Sequence, residues 1–402
     1  MEAVLAYCER ARMYYDRSRL ASGLLLAIAC TGFALRAVGS FAGENPGKRK
    51  LAGDRTSFAA VPDKKRSSQK TPDATPIVQL ICDLKVQAEL ELNERQVQAV
   101  RAAFAKIEPR FWLLRDIHEG TGAAEKAEAA SSLRAELNAI LQPPQATRLE
   151  QLLLQAQGWP AVTSEAVVRA VKLSTDQLRG IEQVIGQTQA EISKIAASKD
   201  PPDMRQQSTQ QARKREGASI QKLLSPPQRI GLAELVGATY DLSAVRPLTF
   251  QAPELKTVDL WINSPPLKLA DLRGKVVAFH FWAFGCINCV HDLPHYTRWH
   301  DEMASKGLVV LGMHTPETQT ERNVAALEKK VAENAIRYPV AVDHDAQNWA
   351  AWANSMWPSV YLIDKSGRVR YWWYGEMNWQ GTEGEKFMRQ QIETLLAEKP
   401  LP

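Results

Sequence analysis

Cysteine is scarce in this chain, five residues in 402, so a disulfide framework cannot carry its fold. A structural zinc site is missing too. It would want a second ligand pair about 12 or more residues from the first, whereas His291 and His295 crowd the closest cysteine pair, Cys286 and Cys289. Covalent haem attachment needs a histidine directly after the second cysteine, where Val290 stands. Charge of one sign is weak: the net charge is +5, much of the excess lies in 48–70, and nothing resembles a nucleic-acid footprint. The apolar segment 20–35 falls short of the about 20 residues a membrane span wants.

What this segment does carry is an address. Arg10, Arg12, Arg17 and Arg19 precede it, Arg36 ends it, and Val38-Gly39-Ser40 and Ala42-Gly43 offer small residues for cleavage. Residues 1–42 therefore read as a secretory signal or a short membrane anchor, with the remainder of the chain extracytoplasmic, in a periplasm or cell envelope. Residues 43–75 are rich in Lys, Ser, Pro, Asp and Gly without an apolar face, the composition of a disordered tether. At about 150 residues per domain, 402 residues predict more than one core, and 45% hydrophobic composition is ordinary for globular protein.

The most informative stretch is Phe279-His280-Phe281-Trp282-Ala283-Phe284-Gly285-Cys286-Ile287-Asn288-Cys289, two cysteines one helical turn apart after an apolar run. Thiol-disulfide exchange needs one thiolate to attack a disulfide and a second thiol close enough to resolve the mixed disulfide. With Cys286 at a helix start, the unpaired amides and positive dipole end stabilise its thiolate, which makes Cys286 the nucleophile and Cys289 the resolver. This chemistry requires no cofactor and no metal. Residues 275–279 read as a central strand covered by helices on both faces, 308–313 and 338–342 as further strands, 322–333 as a helix, 360–364 and 369–374 as a hairpin, and 383–397 as a closing helix. The alternation is that of an α/β domain.

On these residues the chain resembles the extracytoplasmic thioredoxin-like proteins of the TlpA/DipZ group. The motifs are Phe281-Trp282 before Cys286-Ile287-Asn288-Cys289, Leu293-Pro294, His314-Thr315-Pro316-Glu317, and Trp357-Pro358 before Tyr361-Leu362-Ile363-Asp364. The resemblance runs from about Leu255 to Lys399 and implies a thioredoxin-like domain over 255–402, protein disulfide substrates, a membrane electron donor, and a cis Pro358 facing the cysteines, where it would present backbone to a bound substrate strand. Propensity alone gives trans, since only about 5–6% of X-Pro bonds are cis.

The chain departs from that pattern at three places. His280 stands where thioredoxins carry a buried acid six residues before the first cysteine, and it is either a proton acceptor for Cys289 or a core imidazole hydrogen-bonded to backbone. Asp292 falls where relatives often have Glu, and reads as a solvated helix carboxylate with proton transfer as its other role. Ile287-Asn288 lacks the proline of thioredoxin. Among the tryptophans, Trp282 and Trp357 are best placed to line a peptide groove, the others being packing residues. Cys82 reads as a buried small hydrophobe.

Residues 76–245 have helical periodicity throughout and an internal repeat. Leu92-Asn93-Glu94-Arg95-Gln96 is echoed by Leu173-Ser174-Thr175-Asp176-Gln177, and Gln142-Pro143-Pro144-Gln145 by Ser225-Pro226-Pro227-Gln228. The pattern resembles the LTxxQ repeats of Spy/CpxP-type helical chaperones, but capping boxes at helix starts produce it equally. Residues 246–254 read as a short, semi-stiff linker. The whole implies an extracytoplasmic thiol-disulfide oxidoreductase whose helical module positions or recruits something, with reduction of protein disulfides, in cytochrome c maturation or envelope thiol repair, as the implied direction. Oxidation or isomerisation is the alternative within the enzyme class. A helical client-binding protein with a non-catalytic cysteine pair is the alternative outside it.

Overall fold

A computed structural model describes residues 75–116, 122–198 and 200–399. The leader 1–42 and the tether, except its last residue, lie outside them. Among the described residues no helix is long and apolar enough to cross a membrane.

The first half is all helix: α1 (Thr75–Cys82), α2 (Leu84–Glu89), α3 (Glu94–Leu113), α4 (Ala123–Ile140), α5 (Pro143–Gln157), α6 (Glu165–Val171), α7 (Thr175–Ala197), α8 (Pro202–Leu223) and α9 (Pro226–Val236). The repeated motifs start α3, α5, α7 and α9, each with a reciprocal capping box: Asn93 with Gln96, Gln142 with Gln145, Ser174 with Gln177, Ser225 with Gln228.

The glutamines do more than cap. Gln96 Nε2 donates to Ile140 O and to Gln145 Oε1, and Gln145 Nε2 donates to Glu91 O. In the second copy Gln177 Nε2 donates to Leu223 O and Gln228 Oε1, and Gln228 Nε2 to Lys172 O. Each repeat is thus two helix starts clasped to one another by a glutamine pair, beside a left-handed residue, Glu91 (φ 50°) or Lys172 (φ 53°).

The second half is one seven-stranded mixed sheet with order β1-β7-β6-β3-β4-β5-β2. Its strands are β1 (Phe250–Gln251), β2 (Trp261–Ile262), β3 (Val276–Trp282), β4 (Leu308–His314), β5 (Val340–Val342), β6 (Ser359–Ile363) and β7 (Arg368–Tyr374), and its helices α10 (Ile287–Met303), α11 (Val324–Glu333), α12 (Gln347–Ala351) and α13 (Gly384–Ala397). Parallel β3, β4 and β5 continue through antiparallel β6 and β7. Every residue of β3 is buried, as a strand covered on both faces requires.

The two faces of β3 have different covers. Val276, Ala278 and Trp282 pack with Cys289, Leu293, Tyr296 and Trp299 of α10, Leu327 and Val331 of α11, and Met388 and Ile392 of α13. Val277, Phe279 and Phe281 pack in a second core with Trp352 and Tyr361, and this core continues into Val100, Phe104, Phe111 and Trp112 of α3 and Ile77 to Ile81 of α1. The first helical repeat therefore supplies part of one layer of the sheet domain. The segment 246–254 is no free spacer: Val245 and Phe250 are buried in the shared core, Arg246 N donates to Asp83, and Gln251 N to Glu108. The second repeat keeps a smaller core of its own around Val167, Ile181, Ile220 and Leu224.

Candidate dithiol active site

Strand β3 ends at Trp282, the chain turns through Ala283-Phe284-Gly285, and α10 begins. Cys286 is the N-cap of α10, and its Sγ accepts the Cys289 amide proton at 3.3 Å. In a helix this amide has no backbone partner, so the sulfur takes the place of a capping oxygen and would be stabilised further as an anion. The two cysteines form a disulfide, with Cα atoms 5.3 Å apart. They differ in access: Cys289 is fully buried, whereas Cys286 is half-buried beside the exposed Ile287.

Two side chains, one at the end of β4 and one from the segment after it, fix the turn. Glu321, 3% exposed, accepts Gly285 N at 2.7 Å through Oε1, and Glu317 N and Thr318 N at 2.8 and 2.7 Å through Oε2. A Cβ at position 285 would lie 2.7 Å from Glu321 Oε1, which is why glycine stands there. His314, the last residue of β4, stacks on Phe284 and accepts its amide proton through Nε2 at 3.4 Å. Burial pushes His314 down to about 4, so it is neutral and able to accept. Glu321 belongs to no sequence motif, and its bond to Gly285, 36 positions away, is made only in three dimensions.

Trp357–Pro358 is cis. Trp357 Nε1 donates to Thr315 O at 3.1 Å, its ring stacks on Trp349 with centroids 3.8 Å apart, and it packs against the same core as Phe284 and Cys286. The carbonyl of Pro358 accepts Gly375 N at 2.7 Å.

Three expectations need correction. Trp282 does not line a groove: it is fully buried and T-shaped against His314, because its place in the alternation of β3 turns it inward toward α10. His280 is a core imidazole, but not one hydrogen-bonded to backbone. Its ring stacks on Tyr296 with centroids 4.0 Å apart, neither ring nitrogen has a hydrogen-bond partner among the described residues, and burial drives its pKa down to about 3, which disqualifies it as a base near neutral pH. Asp292 is not solvated. It is 1% exposed, accepts the amide of Met377 at 3.2 Å, and is pushed up to about 8 by burial, with the nearby Glu376 adding to the rise. It lies one helical turn beyond Cys289 on the same buried face. Cys82 packs at the edge of the helical core, and burial pushes its thiol up to about 12, unlike a redox cysteine.

Residues 249–372 match the model of the AhpC/TSA family. The C-terminal domain is thioredoxin-like. Over 135 residues the chain is 42% identical to the DipZ proteins of Mycobacterium bovis and Mycobacterium tuberculosis, a match covering 33% of this chain and 19% of those relatives. The chain thus spans about a fifth of the length of these curated relatives. It is 26% identical over 146 residues to the thiol-disulfide oxidoreductase YkuV of Bacillus subtilis, covering 36% of this chain and 94% of that protein. Among solved structures, a thiol-disulfide isomerase from Corynebacterium glutamicum is 28% identical, with 37% of this chain and 98% of that one covered and a TM-score of 0.32. The matched region contains Cys286, Cys289 and Pro358; the helical module precedes it.

Proposed function

We propose that this chain is an extracytoplasmic thiol-disulfide oxidoreductase that reduces protein disulfides through Cys286 and Cys289. The observation carrying this reading is the asymmetry of the pair: an accessible sulfur capping a helix, and a buried sulfur one turn behind it. The Cys286 thiolate attacks one sulfur of a substrate disulfide, the substrate S–S bond breaks, and a mixed disulfide forms. Asp292 takes the proton of Cys289 in its ionised form, which burial keeps in the minority below about pH 8. Cys289 then attacks the Cys286 sulfur and releases the second substrate thiol. Two electrons pass to the substrate, its two sulfurs leave as thiols, and the enzyme is left with the disulfide present in the structure.

The main chain around Trp357, anchored by its stack on Trp349 and its bond to Thr315, is the edge on which an extended substrate segment would lie. Restoring the dithiol needs a reductant, for which a membrane electron donor fits a chain whose residues 1–42 read as a signal or anchor. The reading is tested with Cys289→Ser: the variant should accumulate substrates linked to Cys286 and released by reductant. A protein that only holds clients would retain them with no reductant-sensitive bond. The reduction potential decides direction, a value near about −270 mV supporting reduction and one near about −120 mV oxidation.

A further inference from the structure

We propose that Arg115 of the helical module is a positioning residue for the loop that carries cis-Pro358, which makes the module part of the substrate-binding apparatus. This rests on the dithiol reading above and adds to it a residue outside the thioredoxin-like domain.

Arg115 follows α3 and is 7% exposed. Its guanidinium crosses into the sheet domain: Nη2 donates to Trp352 O at 2.9 Å, Ala353 O at 3.4 Å, Tyr361 Oη at 3.1 Å and Tyr374 Oη at 2.8 Å. Nη1 donates to Trp112 O at 2.7 Å, Nε pairs with Asp116 at 3.1 Å, and the group lies 3.8 Å over the Trp112 ring. A buried cation persists only where donors and charge are matched this fully. A planar fork of five N–H groups reaches acceptors on several elements at once, which a lysine could not.

These acceptors bracket the segment 352–358 between α12 and β6. Ala353 has φ 49°, a left-handed conformation that non-glycine residues keep only where their surroundings hold it. Arg115 binds the carbonyls at and before this residue. Tyr361 Oη, the next acceptor, donates to Asn354 Oδ1 at 2.5 Å, and Asn354 Oδ1 also accepts Ser359 Oγ at 3.0 Å. At the far end Trp357 is clamped by Trp349. The loop before Pro358 is thus held at its start and middle by a network whose hub is on another module. The cysteines are set by β3, α10 and Glu321, and none of these Arg115 bonds reaches them. Loss of Arg115 should therefore misplace the substrate edge while leaving thiol chemistry intact.

The test uses the full chain, a fluorescent disulfide-linked peptide as substrate, and dithiothreitol as the reductant that regenerates the dithiol. Arg115→Met and Asn354→Ala are compared with Glu108→Gln, which weakens a different contact between the modules, the 2.8 Å pair with Arg368. We expect Arg115→Met to raise KM about tenfold with kcat within about twofold, since binding lost equally from ground and transition states appears in KM and not in kcat. Amide exchange of 353–359 should rise by about tenfold, and Asn354→Ala should move both readouts in the same direction with Arg115 still in place. Glu108→Gln should lower stability and move neither. The proposal is overturned if Arg115→Met melts at lower temperature with KM and exchange as in wild type. Should Arg115→Met not fold, Asn354→Ala decides, and wild-type KM and exchange in that variant overturn the proposal equally. A wild-type chain that neither turns over the peptide nor traps it through Cys286 instead removes the dithiol reading, while exchange still reports whether Arg115 holds the loop.

Discussion

Replacing Asp292 with asparagine removes a buried carboxyl whose ionisation the fold resists, and the size of that resistance follows from the site. An aspartate rises from 3.8 to about 8 here because burial disfavours its charge and Glu376 adds repulsion, against one amide bond from Met377. Below pH 3.8 the group is protonated in both folded and unfolded chains and contributes nothing to pH dependence. Between 3.8 and about 8 the unfolded chain releases the proton and the folded chain keeps it, so stability falls as pH rises. At about 1.4 kcal/mol per unit the loss reaches at most about 6 kcal/mol by about pH 8, and is constant above it. A neutral amide at this position would carry no such penalty while still accepting from Met377. Urea unfolding of the oxidised protein from about pH 4 to about pH 9 should show Asp292→Asn gaining on wild type by several kcal/mol across this window. Curves that stay parallel would refute the burial argument. In the reduced enzyme the same substitution should slow resolution of the mixed disulfide by about 100-fold or more, the usual yield of a positioned base.

Other substitutions probe the scaffold. Glu321→Ala removes the buried carboxylate that accepts the amides of Gly285, Glu317 and Thr318, and should cost about 1–3 kcal/mol in thermal unfolding and slow dithiol exchange. Gln96→Ala and Gln145→Ala should be non-additive, with a coupling of about 0.5–3 kcal/mol in a double-mutant cycle, because each side chain bonds to the other. The same cycle on Gln177 and Gln228 should give a similar value if the clasp is the common element of the repeats.

The strands of the sheet were legible because long apolar runs bounded by glycine or turn residues leave few alternatives. Residues 308–313 and 369–374 fall within β4 and β7, and the turn between β6 and β7 was marked by Ser366-Gly367, where Gly367 has φ 82°. Strand alternation could have predicted that His280 and Trp282 point to the same covered face as Cys289, and helical spacing could have placed Asp292 beside Cys289 on the buried side of α10. What stayed hidden depends on contacts far apart in sequence. Gln96 looks like a simple cap until Gln145 meets it, and Arg115 lies well over two hundred positions from the carbonyls and hydroxyls of the sheet domain that it holds. The shared core was hidden for the same reason: the apolar stripe of α3 fits a helical bundle as well as it fits the face of a sheet.

The central claim is that the Cys286 thiol is acidic and open to attack on a disulfide. The most direct measurement is the rate of alkylation of Cys286 by iodoacetamide against pH, in fully reduced Cys289→Ser protein, with labelling located by peptide mapping. A helix-capping sulfur with the backbone amide of position 289 directed at it should titrate at or below about 7.5, well under the about 8.5 of a free thiol. A midpoint at or above about 8.5, or a sulfur that the reagent does not reach, would contradict the account.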